Sequence, residues 1–240
     1  RTRVVYLGAP VDEFGRAWSD AEIRAARAAL GVPEGVFAVG TVTRLMPSKG
    51  NQFLIEAIPK VLAVETKIRF YIVGEGELRE MLEAQARTLG VADRVTFLGF
   101  MRDVSSAYAA LDLVVFPSLW EGTPLTAFEA LAMGRPIVAT DCDGLLDILT
   151  PDGDARVVPR RDAEALAEAI IGLRRDPATR ERLSRQARET GAAYDIGVFV
   201  RKMERLYEVM HEVSRKTHRE GVSKADLSFL SRPIDPLRSR

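Results

Sequence analysis

From residue 36 onward, short apolar runs alternate with amphipathic stretches, and this alternation restricts the chain to one architecture. Strand-like runs fall at 36–42, 68–73, 95–98, 111–116, 136–139 and 156–158. Helical periods fall between them at 50–64, 75–89, 103–110, 124–133, 144–149 and 162–174. Short, mostly apolar strands separated by amphipathic helices of this length predict a parallel sheet with helices on both faces. The fold class expected is α/β, a Rossmann-like doubly wound parallel sheet followed by C-terminal helices. In such sheets ligands bind beyond the carboxyl ends of the strands, so the loops leaving those ends are where function is sought.

Composition narrows the function classes. Lys plus Arg equals Asp plus Glu at 34 each, which gives no basis for nucleic-acid binding. The one cysteine, Cys142, allows no internal disulfide and points to a reducing, cytoplasmic setting. The two histidines, His211 and His218, both lie in the C-terminal segment, which argues against a zinc site or a histidine-based triad. No apolar run is long enough to span a bilayer and no signal peptide opens the chain, so any membrane contact is expected to be peripheral.

Four stretches divide the chain. Residues 1–35 read as an interdomain linker of one strand and one helix: a strand at 3–8, a turn at 9–12, then a helix opened by a Ser19/Glu22 capping box and stopped at Gly31. The strand that appears at once, with no starting methionine, suggests a beginning inside a longer protein. Residues 36–175 read as one nucleotide-sugar-binding domain. Residues 176–218 are helical: one helix opens at Pro177, and a second runs from Ile196 to Lys216. In the second, Phe199, Met203, Leu206, Met210 and Val213 form a narrow seam suited to docking. Residues 219–240 read as a polar tail.

The stretch from Leu119 to Ala130 carries the most chemistry. It follows the fourth strand and opens a helix, with Thr123 as expected N-cap, Pro124 as first helical residue and Gly134 as left-handed stop. The backbone of Gly122, Thr123, Pro124 and Leu125 then lies at a positive helix end suited to phosphate. Glu121 precedes that end. Glu129 falls beside the apolar stripe, about 40° around from Leu125, where a carboxylate is costly unless something pairs with it. Two adjacent sugar hydroxyls would serve, as two O–H donors facing two acceptor oxygens. Arg44 and Lys49, in the loop after the first strand, could neutralise a diphosphate in the same crevice. Gly74-Glu75-Gly76 gives room for close backbone approach but lacks the third glycine of a dinucleotide fingerprint. The loop Gly99-Phe100-Met101-Arg102-Asp103 could lie along a nucleobase or be a plain turn. Trp120 could pack or stack. Asp141-Cys142-Asp143 has the spacing of a divalent-metal clamp. It sits on a turn into the next helix, with Asp143 as the expected cap, and no metal site is expected.

Together these residues resemble the C-terminal, donor-binding half of retaining GT-B glycosyltransferases of the family-four type, over residues 4 to 213. The resemblance rests on Gly40-Thr41-Val42-Thr43-Arg44-Leu45 with Ser48-Lys49-Gly50, on Tyr71 to Leu78, on Val95 to Phe100, on Glu121 to Glu129 and on Pro136 to Asp141. It implies transfer of a hexose from a nucleoside diphosphate sugar such as a UDP- or GDP-sugar, without a metal or other cofactor. Arg44, Lys49 and Glu121 would be catalytic. Arg44 and Lys49 would hold the diphosphate and Glu121 would face the donor sugar. Glu129 would take the ribose hydroxyls. Gly122, Thr123, Pro124 and Leu125 would line sugar and phosphate, while Gly74, Gly99 and Met101 would lie near the nucleotide. A glycan, lipid or small-molecule acceptor would be held by an N-terminal domain outside this sequence. Asp143-Gly144 stands where the family often has Gly-Gly, and Leu146-Asp147 where Pro-Glu is common, which leaves the sugar open. The competing expectations are a nucleotide-binding or interaction module without turnover, and a GT-B-like epimerase or phosphorylase.

Overall fold

The computed structural model describes residues 5–216, and the side chains of residues 5–211. Six strands form one parallel sheet: β1 (Phe37–Val42), β2 (Ile68–Val73), β3 (Val95–Gly99), β4 (Leu113–Phe116), β5 (Ile137–Thr140) and β6 (Ala155–Val158). Their order is β3-β2-β1-β4-β5-β6. Chain order therefore runs one way from β1 to β3 and then reverses, and the loops after β1 and β4 diverge over a shared crevice. The Rossmann-like sheet is as expected from the alternating pattern, and the cause is visible in burial. Every residue of β1 and β4 is buried, because helices cover both faces.

Two apolar layers do the covering. On one face, Leu54 and Ile58 of α3 (Asn51–Val64), Leu82 of α4 (Arg79–Thr88) and Leu166 and Ile170 of α8 (Ala163–Arg175) pack with Val39, Phe70 and Val115. On the other, Tyr108 of α5 (Val104–Ala110) and Phe128 and Leu131 of α6 (Leu125–Ala132) pack with Val42, Val114 and Ala139. That layer is extended by Phe14 of α1 (Val11–Phe14), Ala26 of α2 (Asp20–Ala29) and Ala187 of α9 (Pro177–Ala193). Each fully buried Leu, Ile or Phe contributes about 1.5–3 kcal/mol, so this two-sided burial holds the sheet in place under its loops.

Local differences from the sequence reading have local causes. Residues 5–8 form no strand; Ala9 alone makes a bridge, to Asp195, with its N–H on the Tyr194 carbonyl at 3.0 Å. Val11 and Asp12, expected to end the turn at 9–12, instead begin α1. β4 starts two residues late because Leu111 still bonds back to Tyr108, while the Asp112 carboxylate takes the Ala38 N–H at 2.7 Å. α4 starts at Arg79 rather than 75, because residues 74–78 run beside the β1 exit: Leu45 N–H donates to Glu75 at 2.9 Å and Leu78 N–H to Leu45 at 3.0 Å. The capping box at Ser19 and Glu22 forms in full.

The last helix, α10 (Ile196–Lys216), buries Val198 and Val209. Met210 of the expected seam is 56% exposed and Phe199, Met203 and Leu206 are half-buried, so the buried line is offset from the one expected. The Val213 side chain, the residues before Val5 and the 219–240 tail lie outside the described residues. Among the described residues no helix is long and apolar enough to cross a membrane.

The crevice is held open by a close backbone approach. Gly50 closes the β1 loop with φ +63°, and a Cβ there would stand 2.0 Å from the Pro117 carbonyl oxygen of the β4 loop. Gly50→Ala meets both the left-handed penalty and this clash, so it should lower unfolding stability by about 2–3 kcal/mol. Urea denaturation checks this, and a loss below about 0.5 kcal/mol would mean that the two loops are not in contact.

Candidate active site in the crevice between the β1 and β4 loops

The loops that leave β1 and β4 are joined before any ligand arrives. The carbonyl of Ser48 accepts the N–H of Leu119 at 2.8 Å and of Trp120 at 3.3 Å. This stitch places Lys49 opposite Glu121. The Lys49 Nζ lies 2.7 Å from Oε1 and 2.6 Å from Oε2 of Glu121. Ser118 donates its hydroxyl to the same Oε1 at 2.7 Å. The Glu121 side chain is only 7% exposed and that of Lys49 19%. Such a pair is costly to desolvate, and its geometry must offset that cost. Here one ammonium and one hydroxyl satisfy the carboxylate on both oxygens.

Behind Glu121 the next strand end closes in. A Cβ on Gly144 of α7 (Asp143–Leu146) would lie 2.5 Å from the Glu121 carbonyl oxygen and 2.6 Å from that of Gly122. The small residue lets α7 sit under the Glu121–Gly122 peptide. Thr140, at the end of β5, donates to the Ser118 carbonyl. Cys142 is fully buried, and burial pushes its thiol pKa up, which removes it as a nucleophile.

The helix end differs from expectation in detail. Pro124, not Thr123, is the N-cap of α6, with ψ 94° and no side-chain cap bond. Thr123 points its hydroxyl to no N–H of the first turn, because Pro124 turns the chain before the helix begins. Among the described residues, the N–H groups of Gly122, Thr123, Leu125 and Thr126 have no protein acceptor. Gly122 and Thr123 are exposed, Leu125 is 48% exposed and Pro124 is buried. An uncapped helix start facing an open crevice favours an anion. Gly134 ends the helix with φ +60°, as expected.

Arg44 opens onto a cleft of 420 Å³ lined also by Thr43, Gly74, Glu75, Phe100, Met101, Val104 and Thr126. Arg44 is exposed and makes no ion pair among the described residues, whereas Lys49 is committed to Glu121. Gly74 reaches φ +127°, and a Cβ there would lie 1.9 Å from the Thr43 carbonyl oxygen. Its N–H donates to Gly99 at 2.8 Å, which draws the β2 and β3 exits together. Phe100 is 77% exposed at the cleft edge and Met101 is half-buried. Asp103 caps α5, accepting the N–H groups of Ser105 and Ser106, and so is occupied.

Glu129 lies in the helix that starts this site. Its Oε2 accepts the Tyr108 hydroxyl at 3.1 Å, and that hydroxyl also lies 3.0 Å from the Thr126 carbonyl. Burial raises the Glu129 pKa above the usual carboxylate value; the Tyr108 bond opposes that rise, and the Glu13 charge adds to it. The crevice therefore joins Lys49 to Glu121, sets Arg44 across a cleft from Thr126, and ties Thr126 to Glu129 through Tyr108.

Three residues here went unnoticed in the sequence. Ser118 and Tyr108 have no motif of their own and gain meaning only from their partners. Arg160 follows β6, a strand end like the others, and that position was its only signal. It donates to the Asp141 carboxylate at 3.2 Å and to the Leu119 carbonyl at 3.4 Å. Asp141 thus faces a guanidinium, and Asp143 is the first helical residue of α7, with Cys142 in the cap position assigned to Asp143 from the sequence.

Comparisons with known proteins agree on the family. The family described as glycosyl transferases group 1 matches residues 35–176. The lipopolysaccharide core biosynthesis glycosyltransferase LpsD of Rhizobium meliloti is 36% identical over 165 residues, 69% of this chain and 47% of that protein. The phosphatidyl-myo-inositol mannosyltransferase of Mycolicibacterium smegmatis is 34% identical over 184 residues, 75% of this chain and 47% of that protein. The chain spans about half the length of the curated relatives it matches. The crystal structure of Anabaena HepE in complex with UDP and glucose is similar over 86% of this chain and 56% of that one, with TM-score 0.79 and 25% identity. The C-terminal domain of a group 1 glycosyl transferase from Francisella tularensis shares the fold over 79% of this chain and 100% of that one, with TM-score 0.70 and 24% identity.

Removing one partner of a buried ion pair leaves the other charge stranded. Lys49→Met should therefore cost about 3 kcal/mol of stability, and adding Glu121→Gln should recover part of it. Chemical denaturation of the single and double variants checks the coupling; a Lys49→Met variant as stable as the parent would show that the pair does not form in solution.

Proposed function

This chain belongs to the glycosyl transferases group 1, and from that premise we propose that it is the donor-binding half of a retaining glycosyltransferase that moves a hexose from a nucleoside diphosphate to an acceptor. The observation that carries the proposal is the convergence, at the one reversal of the sheet, of a free guanidinium, a lysine–glutamate pair and an uncapped helix end. The crystal structure of Anabaena HepE is a complex with UDP and glucose, which supports a nucleotide-sugar donor here.

In this reading the diphosphate lies between Arg44 and the N–H groups of Gly122, Thr123, Leu125 and Thr126. The backbone N–H groups are held in place before the donor arrives, so they stabilise the departing charge without reorganising, while the exposed Arg44 closes on it. Lys49 also faces the leaving diphosphate, while its bond to Glu121 holds that carboxylate against the donor sugar. The ribose hydroxyls reach Glu129, and the base rests along Gly99, Phe100 and Met101. Fixed cations meet the diphosphate charge, so a divalent ion is not needed; Asp141 is turned to Arg160. Residues 36–175 form the nucleotide-sugar-binding domain. Residues 1–35 and 176–218 are its connection to an acceptor-binding domain outside this sequence. The acceptor is a glycan, a lipid or a small molecule, and the work is cytoplasmic, with any membrane contact peripheral.

Calorimetric titration with UDP, GDP and ADP in EDTA tests the reading. At least one should bind at millimolar concentration or better. Arg44→Ala should weaken that diphosphate by about 1.5–3 kcal/mol and hardly change the affinity of the bare nucleoside. Glu129→Ala should weaken both by about 1–3 kcal/mol. Failure of all three diphosphates, or equal loss of diphosphate and nucleoside in Arg44→Ala, would contradict it.

A further inference from the structure

Tyr108 is fully buried, and its hydroxyl reaches across from α5 to α6. That hydroxyl carries one proton and faces two acceptors, the Thr126 carbonyl at 3.0 Å and the Glu129 Oε2 at 3.1 Å. The Thr126 carbonyl lies in the first turn of a helix, so the helix itself can supply it with an N–H. Glu129 has no such alternative: Tyr108 is its one side-chain hydrogen-bond partner among the described residues, and Oε1 is left open. The Phe14 ring packs edge-on against Tyr108 at 6.3 Å.

We propose that Tyr108 is a positioning residue for the nucleotide site: its hydroxyl fixes the rotamer of Glu129 and leaves the second carboxylate oxygen aimed at the ribose. The inference rests on the ribose role given to Glu129 above. When Glu129 is ionised, the Tyr108 proton turns to it. When Glu129 is protonated, the carboxylic acid can donate to Tyr108 and the Tyr108 proton turns to Thr126. The phenol accommodates either state without a buried unpaired group.

The groups facing Glu129 are few. Glu13 on α1 carries a like charge, and α5 offers only the Tyr108 phenol as a titratable group. On α9, Arg188 sits against Gly134, beyond the C-terminal end of α6. Burial and Glu13 hold the carboxyl above its usual range, and the Tyr108 bond lowers it. Ribose hydroxyls are bound by the ionised form, so affinity should rise with pH through the free protein's Glu129 titration. Loss of the Tyr108 bond disfavours the ionised form and should move that midpoint upward.

The test uses whichever of UDP, GDP or ADP the parent protein binds, with its 2′,3′-dideoxy analogue as control. In Tyr108→Phe the diphosphate should weaken roughly three- to tenfold, the net contribution of one ordinary hydrogen bond, because the phenol acts through Glu129 and does not itself touch the ribose. The dideoxy analogue should change by less than about twofold, and the pH midpoint for the ribonucleotide should rise. Glu129→Gln guards against a folding defect: adding Tyr108→Phe to it should cause no further loss of discrimination. A phenol that serves only to pack would weaken both ligands alike and leave the midpoint in place, which overturns the inference. A parent protein that binds none of the three diphosphates overturns it together with the donor-site reading. A parent that binds one, with Tyr108→Phe unchanged in discrimination and midpoint, overturns this inference alone.

Discussion

The carbonyl of Ser48, bonded to the N–H groups of Leu119 and Trp120, is the contact on which the rest of the site depends. It ties together two loops that a parallel sheet would otherwise let diverge. β1 and β4 are paired neighbours, so the loops start side by side, but the sheet reverses its winding there and the chain leaves the two strands in opposite directions. The stitch needs room, which Gly50 supplies by having no side chain against Pro117. With the loops joined, Lys49 and Glu121 meet at 2.6 Å in a place with little water. Fixed charge at that spot follows from a backbone contact rather than from the charges alone.

That arrangement divides labour between two cations that look equivalent in sequence. Lys49 is already spent on Glu121, so it positions a carboxylate and adds a point charge nearby. Arg44 is exposed and forms no ion pair among the described residues, which leaves its planar fork for an incoming ligand. The two acids divide in the same way. Glu121 is held by a charge and a hydroxyl, whereas Glu129 is held by a neutral phenol and keeps a raised pKa. On the proposed reading, the carboxylate held by Lys49 faces the sugar and the one held by the phenol takes the ribose hydroxyls.

Much of the architecture was legible because it rests on periodicity. Strands buried on both faces are mostly apolar, and Gly31 and Gly134 mark turns that left-handed backbone requires; Gly50, read as the start of a helix, is a third such turn. The site residues stood out where a residue type contradicted its surroundings, as Glu129 does beside an apolar stripe. What sequence could not give was partnership. Thr123 has the right chemistry for a cap, yet Pro124 bends the chain first and takes the position. Ser118, Tyr108 and Arg160 are ordinary residues whose roles come from contacts 3 to 41 positions away. The offset on α10 has a similar origin: heptad spacing names a stripe, but the angle at which the helix meets the body decides that Val198 and Val209 are buried.

The central claim is that one crevice above the β1–β4 reversal receives a nucleoside diphosphate. Backbone amide shifts in a nitrogen-15 spectrum, followed as UDP, GDP or ADP is added with EDTA present, test it most directly. The account predicts the largest shifts at Gly74, Gly99, Gly122, Leu125 and Thr126, on both sides of the crevice. Shifts confined to another face of the molecule, with these amides unmoved at saturation, would contradict it.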